Sequence, residues 1–198
     1  MLFVLAVVAL GIYLLDQGAK YLIVKNLVAG QQVNVLGTFL QFHFVQNSGA
    51  AFSIGTGMTW VFSIVAAAVA VFIILYARRI RSYGWGILFG LLLGGTLGNL
   101  SDRLFRQPRF GEGHVVDFIQ VFGFPAIFNI ADSAICISMV LFIILTIRGV
   151  GLDGKRVARK VAVSEAAVSE AAATDPTTIS STDATTAGSE PRAADSEK

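Results

Sequence analysis

The chain has 198 residues, of which 55% are hydrophobic and 14% are charged. A soluble domain carries about 25% charged residues, so this composition is typical of a membrane protein. The net charge of +2 is too small to indicate nucleic-acid binding, and the single cysteine excludes an intrachain disulfide.

Four segments approach or reach the roughly 20 apolar residues that are needed to span a bilayer. They predict spans at about residues 2–24, 58–77, 85–102 and 127–148. The first segment lacks the basic start and the small-residue cleavage site of a secretory signal, so we expect it to be retained as a span. The predicted fold class is an all-α integral membrane protein with four transmembrane helices.

Residues 26–57, between the first and second spans, are too polar and too rich in glycine to cross a membrane. Within them, the loosely alternating and aromatic-rich run 39–46 predicts a strand. Asn47, Ser48 and Gly49 then predict a turn. We therefore expect a small extracytoplasmic β-element between helices 1 and 2, and a loop between the third and fourth spans.

Two units are predicted: a membrane domain over residues 1–150 and a disordered cytoplasmic tail over 151–198. The tail is rich in Ala, Ser, Thr, Glu and Asp and shows no hydrophobic period. Basic residues are frequent after the second span, at Arg78, Arg79 and Arg81, and at the start of the tail. Because basic residues favour the cytoplasmic side, both termini are expected in the cytoplasm.

The third span carries glycines at intervals of four residues, a spacing that lets another helix approach one face closely. They are Gly86, Gly90, Gly94 and Gly98. Asn99 and Asp102 lie three residues apart, and so do Asn129 and Asp132, so each pair is expected to share a helix face.

Charged residues near these spans are candidates for function, because a carboxylate at the bilayer centre costs roughly 2.5–3.5 kcal/mol on insertion scales. Asp16 and Lys20 have the spacing and order of a helix ion pair, which favours a structural role. Asp132 lies about one turn inside the fourth predicted span and has no basic neighbour in sequence. Asp117 lies in the preceding loop, and both aspartates are expected at the outer side.

Other hydrolytic chemistries fit the sequence poorly. His43 and His114 do not form a zinc-protease motif, and no serine has an evident supporting base. Cys136 is predicted to be a buried packing residue. Two carboxylates remain, and two close carboxyls cannot both ionise easily. One can donate a proton to a peptide carbonyl while the other takes a proton from water.

Two other classes of protein would also keep polar residues in their spans. A small proton-coupled transporter uses intramembrane carboxylates, but such proteins often contain internal repeats, and the two halves of this chain show none. A non-catalytic scaffold would use the polar side chains to join helices.

Five strings in this order resemble the lipoprotein signal peptidases, the signal peptidase II family, over about residues 8–148. They are Asp16-Gln-Gly-Ala-Lys20, Gln46-Asn-Ser-Gly-Ala-Ala-Phe-Ser53, Gly94-Gly-Thr-Leu-Gly-Asn-Leu-Ser-Asp-Arg103, Val115-Val-Asp-Phe118 and Phe128-Asn-Ile-Ala-Asp-Ser133. The resemblance implies an intramembrane aspartic endopeptidase that cuts diacylglyceryl-modified prolipoproteins just before the lipid-bearing cysteine. By position, Asp117 and Asp132 match the catalytic pair.

The resemblance also implies substrate-binding or supporting roles for Asp16, Lys20, Asn47, Asn99, Asp102, Arg103 and Asn129. The β-element matches an outer cradle, and the antibiotic globomycin occupies the site in this family. The expected location is the bacterial cytoplasmic membrane, with the site near the outer face. We expect lipid-modified prolipoproteins and membrane lipid as partners, no nucleic acid, a monomer, and no metal or cofactor.

The sequence departs from the family's common pattern in three places. The segment 104–114 is longer, the run 124–129 holds one extra residue before Asn129, and the tail has no counterpart in compact members.

Overall fold

The computed structural model describes residues 1–49 and 58–155. Its four α-helices are α1 (Leu2–Asn26), α2 (Thr59–Tyr76), α3 (Tyr83–Phe105) and α4 (Ile130–Ile147), and a 3-10 helix, Ala77–Arg79, follows α2. Its three strands are β1 (Gln32–Leu36), β2 (Leu40–Asn47) and β3 (Val115–Val121). All four helices are long and apolar enough to cross a membrane, so the predicted four-helix membrane fold is confirmed.

Helix α3 lies at the centre of the bundle and is the most buried of the four. Its predicted glycine face packs against α1. A methyl group at Gly94 would lie 2.6 Å from the carbonyl oxygen of Ala9, and one at Gly90 would lie 2.9 Å from that of Leu5. Gly95 faces α4, and a methyl group there would lie 2.5 Å from the carbonyl oxygen of Ala131. The prediction that a neighbouring helix approaches this face is therefore confirmed.

The three strands form one antiparallel sheet in the order β1-β2-β3. The predicted strand at 39–46 is confirmed as β2, and the predicted turn follows, where the Gly49 N–H donates to Asn47 Oδ1 at 2.9 Å. Only a loop was predicted between the third and fourth spans, which is wrong at residues 115–121. Those residues are mostly β-branched or aromatic and pair with β2, so the β-element has a strand from a distant part of the chain.

Side chains of β3 alternate between two environments, as the period of a strand requires. Val116 and Phe118 pack with Ile23 and Phe44 in a small core between the end of α1 and the sheet. Val115 and Asp117 line a cavity on the opposite side. The strand thus presents a carboxylate beside the helices while its apolar residues anchor it.

The fourth span was predicted from residue 127, but α4 begins at Ile130. Phe128 is extended and forms an isolated β-bridge with Ile119. Asn129 is the N-cap, and it forms a capping box with Asp132, which occupies the third helical position. An N-cap residue has non-helical backbone angles, which is why the helix begins only after Asn129.

Of the predicted tail, only residues 151–155 are described. The Leu152 carbonyl oxygen accepts hydrogen bonds from the backbone N–H groups of Arg81 and Ser82, at 2.9 and 3.1 Å. The predicted disorder of the tail concerns residues that otherwise lie outside the described ranges, as do residues 50–53 of the second string.

The close contact between α3 and α1 predicts that substitution of two glycines by alanine will have different effects on stability. Gly94→Ala places a methyl group against the α1 backbone and should lower stability by about 1–3 kcal/mol. Gly18→Ala, on α1, meets no atom within 4 Å and should change stability little. Thermal unfolding of both variants in detergent would measure this. Equal unfolding temperatures would contradict the close packing.

Candidate active site

The side chain of Asn129 links the start of α4 to strand β3. Its Oδ1 accepts the Asp132 backbone N–H at 2.9 Å, and Asp132 Oδ2 accepts the Asn129 backbone N–H at 3.1 Å. Because Oδ1 is used in the cap, Nδ2 points the other way and donates to Asp117 Oδ1 at 2.6 Å. Asn129 is fully buried, so this orientation has no competition from water.

Asn99, on α3, holds the second oxygen of Asp132. Its Nδ2 donates to Asp132 Oδ1 at 2.8 Å. Its Oδ1 accepts from Lys20 Nζ at 3.0 Å and from Asn129 Nδ2 at 3.2 Å. The Asn99 amide thus joins α1, α3 and α4 beside the Asp132 carboxylate.

Asn47, at the end of β2, holds the second oxygen of Asp117. Its Nδ2 donates to Asp117 Oδ2 at 2.9 Å, while its Oδ1 accepts the Gly49 N–H of the turn. Asp117 is only 4% exposed, although it lies on a strand outside the helices. Each aspartate therefore has both carboxylate oxygens held by N–H donors.

Burial raises the pKa of the Asp117 carboxyl from its ordinary value of 3.8 to about 7. The Asp132 carboxylate nearby adds to this rise, because a second negative charge is opposed by the first. Hydrogen bonds from Asn47 and Asn129, which favour the charged form, lower the pKa of Asp117 but do not cancel the effect of burial. Near neutral pH, Asp117 is therefore poised to hold or release a proton.

A cavity of about 550 Å³ opens over the two aspartates. Its polar side is formed by Asn47, Asn99, Arg103, Asp117 and Asp132, whereas its apolar wall comes from the 124–128 segment and from α4. Cys136 lies on this wall and is exposed, so the prediction of a buried cysteine is wrong. A concave apolar site with a few convergent polar groups is typical of a ligand site.

Arg103, on α3, places a positive charge at the polar side of this cavity. Its Nη2 donates to the Gly49 carbonyl oxygen at 3.2 Å, and its guanidinium lies 5.8 Å from the Phe62 ring centre. Its Nε is buried and has no hydrogen-bond partner among residues 1–49 and 58–155. The guanidinium therefore holds a buried N–H group without a partner among these residues, near the charges of Asp132 and Asp117.

A second polar cluster lies behind the aspartates and does not line the cavity. Lys20 Nζ lies 2.8 Å from Asp16 Oδ2 and 2.7 Å from Asp102 Oδ2, and all three side chains are fully buried. Asp102 also accepts from Arg106 Nε at 2.6 Å, and Asp16 Oδ1 accepts the Ala131 N–H at 2.9 Å. The predicted ion pair of Asp16 with Lys20 is thus present, and it joins α1 to α3 and α4.

The predicted amide–carboxylate pairs each lie on one side of their helix. Asn99 and Asp102 both contact Lys20 Nζ, and Asn99 also donates to Asp132. Asn129 and Asp132 interact through the helix cap. Arg106 and Gln17 were not predicted. Arg106 follows Asp102 by four residues, a spacing that could have indicated the ion pair. Gln17 donates to the Gly98 carbonyl oxygen at 3.0 Å, for which the sequence contains no signal.

No group of three or more His, Cys, Asp or Glu side chains within the described ranges is placed to hold a metal ion.

A family model described as signal peptidase (SPase) II matches residues 8–148. The chain belongs to the signal peptidase II family. Among its relatives is a lipoprotein signal peptidase of Leifsonia xyli, 64% identical over 155 residues, which are 78% of this chain and 72% of the relative. One from Streptomyces coelicolor is 49% identical over 151 residues, 76% of this chain and 74% of the relative.

Two solved structures, each described as a bacterial membrane enzyme, resemble this chain. One has a TM-score of 0.65 and 29% identity and covers 77% of this chain and 93% of its own. The other has a TM-score of 0.61 and 32% identity, over 71% and 90% respectively. The fold is therefore shared with bacterial membrane enzymes, and family membership favours a peptidase over a transporter or a scaffold.

The raised pKa of Asp117 predicts a specific pH dependence of stability. The native carboxyl binds a proton more tightly than the unfolded one, so the free energy of unfolding should fall as pH rises from about 4 to 7. Asp117→Asn removes this titration. The unfolding temperature of this variant in detergent should therefore lack the part of the pH dependence that is due to Asp117. In free energy of unfolding, that part is a few kcal/mol at most. Parallel curves for the parent and the variant would contradict the assignment.

Proposed function

We propose that this chain is an intramembrane aspartic endopeptidase that removes signal peptides from diacylglyceryl-modified prolipoproteins. The proposed cut falls just before the lipid-bearing cysteine. Family membership and relatives named lipoprotein signal peptidase support the substrate class. The aspartic mechanism is supported by the geometry of the site.

The observation that carries the mechanism is a pair of carboxylates that both accept hydrogen bonds from one residue, Asn129. Asp117, on β3, accepts from the Asn129 side chain, and Asp132, on α4, accepts from the Asn129 backbone N–H. A buried carboxylate is costly unless its hydrogen bonds are satisfied. The fold satisfies both groups and still leaves them facing a cavity, which is the arrangement that an acid–base pair requires.

The surroundings of the two groups suggest different roles. Asp132 occupies the third position of α4, where the helix dipole and the backbone N–H of Asn129 favour negative charge. Asp132 is the proposed base, which takes a proton from water as the water oxygen attacks the peptide carbonyl carbon. Asp117, with a pKa of about 7, is the proposed acid, which donates to the carbonyl oxygen. When the C–N bond breaks, Asp132 gives its proton to the leaving amine and Asp117 takes a proton from a hydroxyl of the tetrahedral intermediate, so both groups return to their starting states.

The other cavity residues fit an extended, lipid-bearing substrate. The donors of Arg103 suit a backbone carbonyl of the substrate, because guanidinium offers several N–H groups in one plane. The apolar wall, formed by Ile127, Phe128, Ile135 and their neighbours, suits hydrocarbon. Acyl chains partition into the bilayer, and confinement beside the site reduces the positional search before chemistry.

The proposed setting is the bacterial cytoplasmic membrane, with both termini inside, the aspartates near the outer face, and a monomeric enzyme. The exposed residues Arg78 and Arg109 would then lie on opposite sides. In a Cys136→Ser background, an impermeant maleimide added to intact cells should label Arg109→Cys but not Arg78→Cys. The reverse pattern would contradict the topology.

The chemistry is tested with the purified full-length protein and a diacylglyceryl-modified prolipoprotein, with precursor and product resolved on a gel. Asp117→Asn and Asp132→Asn should each lower turnover by at least about 10²-fold, because each removes half of the acid–base pair. Asp153→Asn, an exposed aspartate far from the cavity, is the matched control. Globomycin should inhibit the parent enzyme in the same assay.

Unmodified prolipoprotein serves as the substrate control, and mass spectrometry of the product locates the cut. Turnover by a folded Asp117 or Asp132 variant would show that the pair is misassigned. A folded parent that cuts no modified substrate would overturn the proposed function.

A further inference from the structure

The Lys20 ammonium group is fully buried and has three acceptors. Two are the carboxylates of Asp16 and Asp102, at 2.8 and 2.7 Å, and the third is Asn99 Oδ1 at 3.0 Å. An ammonium group has three N–H donors and no acceptor. All of its donors are therefore used, and one of them is directed away from the carboxylates and toward the amide that holds Asp132.

This contact determines the orientation of the Asn99 side-chain amide. Because Lys20 can only donate, the atom that faces it must be the amide oxygen. The amide nitrogen is then directed at Asp132 Oδ1, 2.8 Å away. The opposite orientation would set two groups of N–H donors against each other and would direct a carbonyl oxygen at a carboxylate.

The same contact strengthens the donor. A positive charge on the oxygen side of an amide polarises its N–H bonds, and hydrogen bonds in a chain reinforce one another in a low-dielectric interior. The chain here runs from Lys20 through Asn99 to Asp132. Lys20 itself does not line the cavity, so it does not touch a substrate in the site.

We propose that Lys20 is a positioning residue for the Asp132 carboxylate and acts through the Asn99 amide. This inference rests on the proposed function, since it assigns Lys20 a part in preparing the base. It differs from a purely structural role, in which Lys20 would only join α1 to α3 by neutralising Asp16 and Asp102.

Arg106 offers a matched comparison. It is also a cation bound to Asp102, at 2.6 Å, but it is part-exposed and has no contact with Asn99. Arg106→Gln and Lys20→Met each remove one positive charge from the same cluster, and only the second breaks the contact with Asn99. Lys20→Met/Asp16→Asn removes one charge of each sign and is used if Lys20→Met folds poorly.

The experiment measures kcat, KM and the pH profile for the purified full-length variants with diacylglyceryl-modified prolipoprotein. Unfolding temperatures provide the folding control. Lys20→Met should lower kcat by about tenfold or more with little change in KM, because the base is displaced while the cavity is intact. Arg106→Gln should stay within about threefold of the parent. Lys20→Met should change kcat little further when Asn99→Leu is already present, because both act on one contact.

The acidic limb of the pH profile gives a further readout. Because loss of the Lys20 charge alone would also move this limb, the limb is compared in Lys20→Met/Asp16→Asn, in which the net charge is unchanged. The charged groups around Asp132 are Asp117 on β3, Arg103 on α3 and, behind Asn99, Lys20, Asp16 and Asp102. Losing the polarised donor should move the acidic limb upward by about 0.5–1 pH unit, which corresponds to about 1 kcal/mol. Arg106→Gln should leave it in place.

Three results would overturn the proposal. The first is a folded Lys20 variant with kcat and an acidic limb like those of the parent. The second is an effect of Arg106→Gln on kcat and the acidic limb equal to that of Lys20→Met. The third is failure of both Lys20 variants to fold, which would show that the role of Lys20 is structural. Failure of the proposed function gives a different result, since the parent would then cut no substrate.

Discussion

One buried amide, that of Asn129, sets the geometry on which the site depends. The same side chain ends the extended segment before α4, caps the helix and binds Asp117. The start of a helix and the position of a carboxylate on a separate strand are therefore not independent. Any change that moves the cap also moves Asp117 relative to Asp132, because no flexible linker separates the two contacts.

The charged cluster behind the aspartates depends on how closely the helices approach. A methyl group at Gly98 would lie 2.6 Å from Asp16 Oδ2, so a larger residue there would displace this carboxylate. Since α1 and α3 meet over glycines, the Asp16, Lys20 and Asp102 side chains are fully buried between the helices. Close packing thus keeps the dielectric low, which strengthens satisfied hydrogen bonds and makes unsatisfied ones costly.

Features encoded by local sequence patterns were predictable from the sequence, whereas those set by tertiary contacts were not. The apolar segments and the glycine spacing predicted the spans and the close face of α3. Strand β3 was missed, because pairing with β2 makes it a strand and that partner lies far away in sequence. The exposure of Cys136 and the direction of the Asn99 side chain depend on neighbouring elements, so helix spacing alone could not give them.

The register of β3 separates the position of Asp117 from the length of the loops beside it. Asp117 pairs with Val45, and Ile119 pairs with Phe42 on one side and bridges Phe128 on the other. A slip by one residue would exchange Asp117 for Val116 or Phe118 at the cavity. The strand pairing, rather than the count of residues from α3, determines which side chain faces Asp132. Because residues 107–110 are exposed, the connection from α3 to β3 can change in length there while the carboxylate keeps its place.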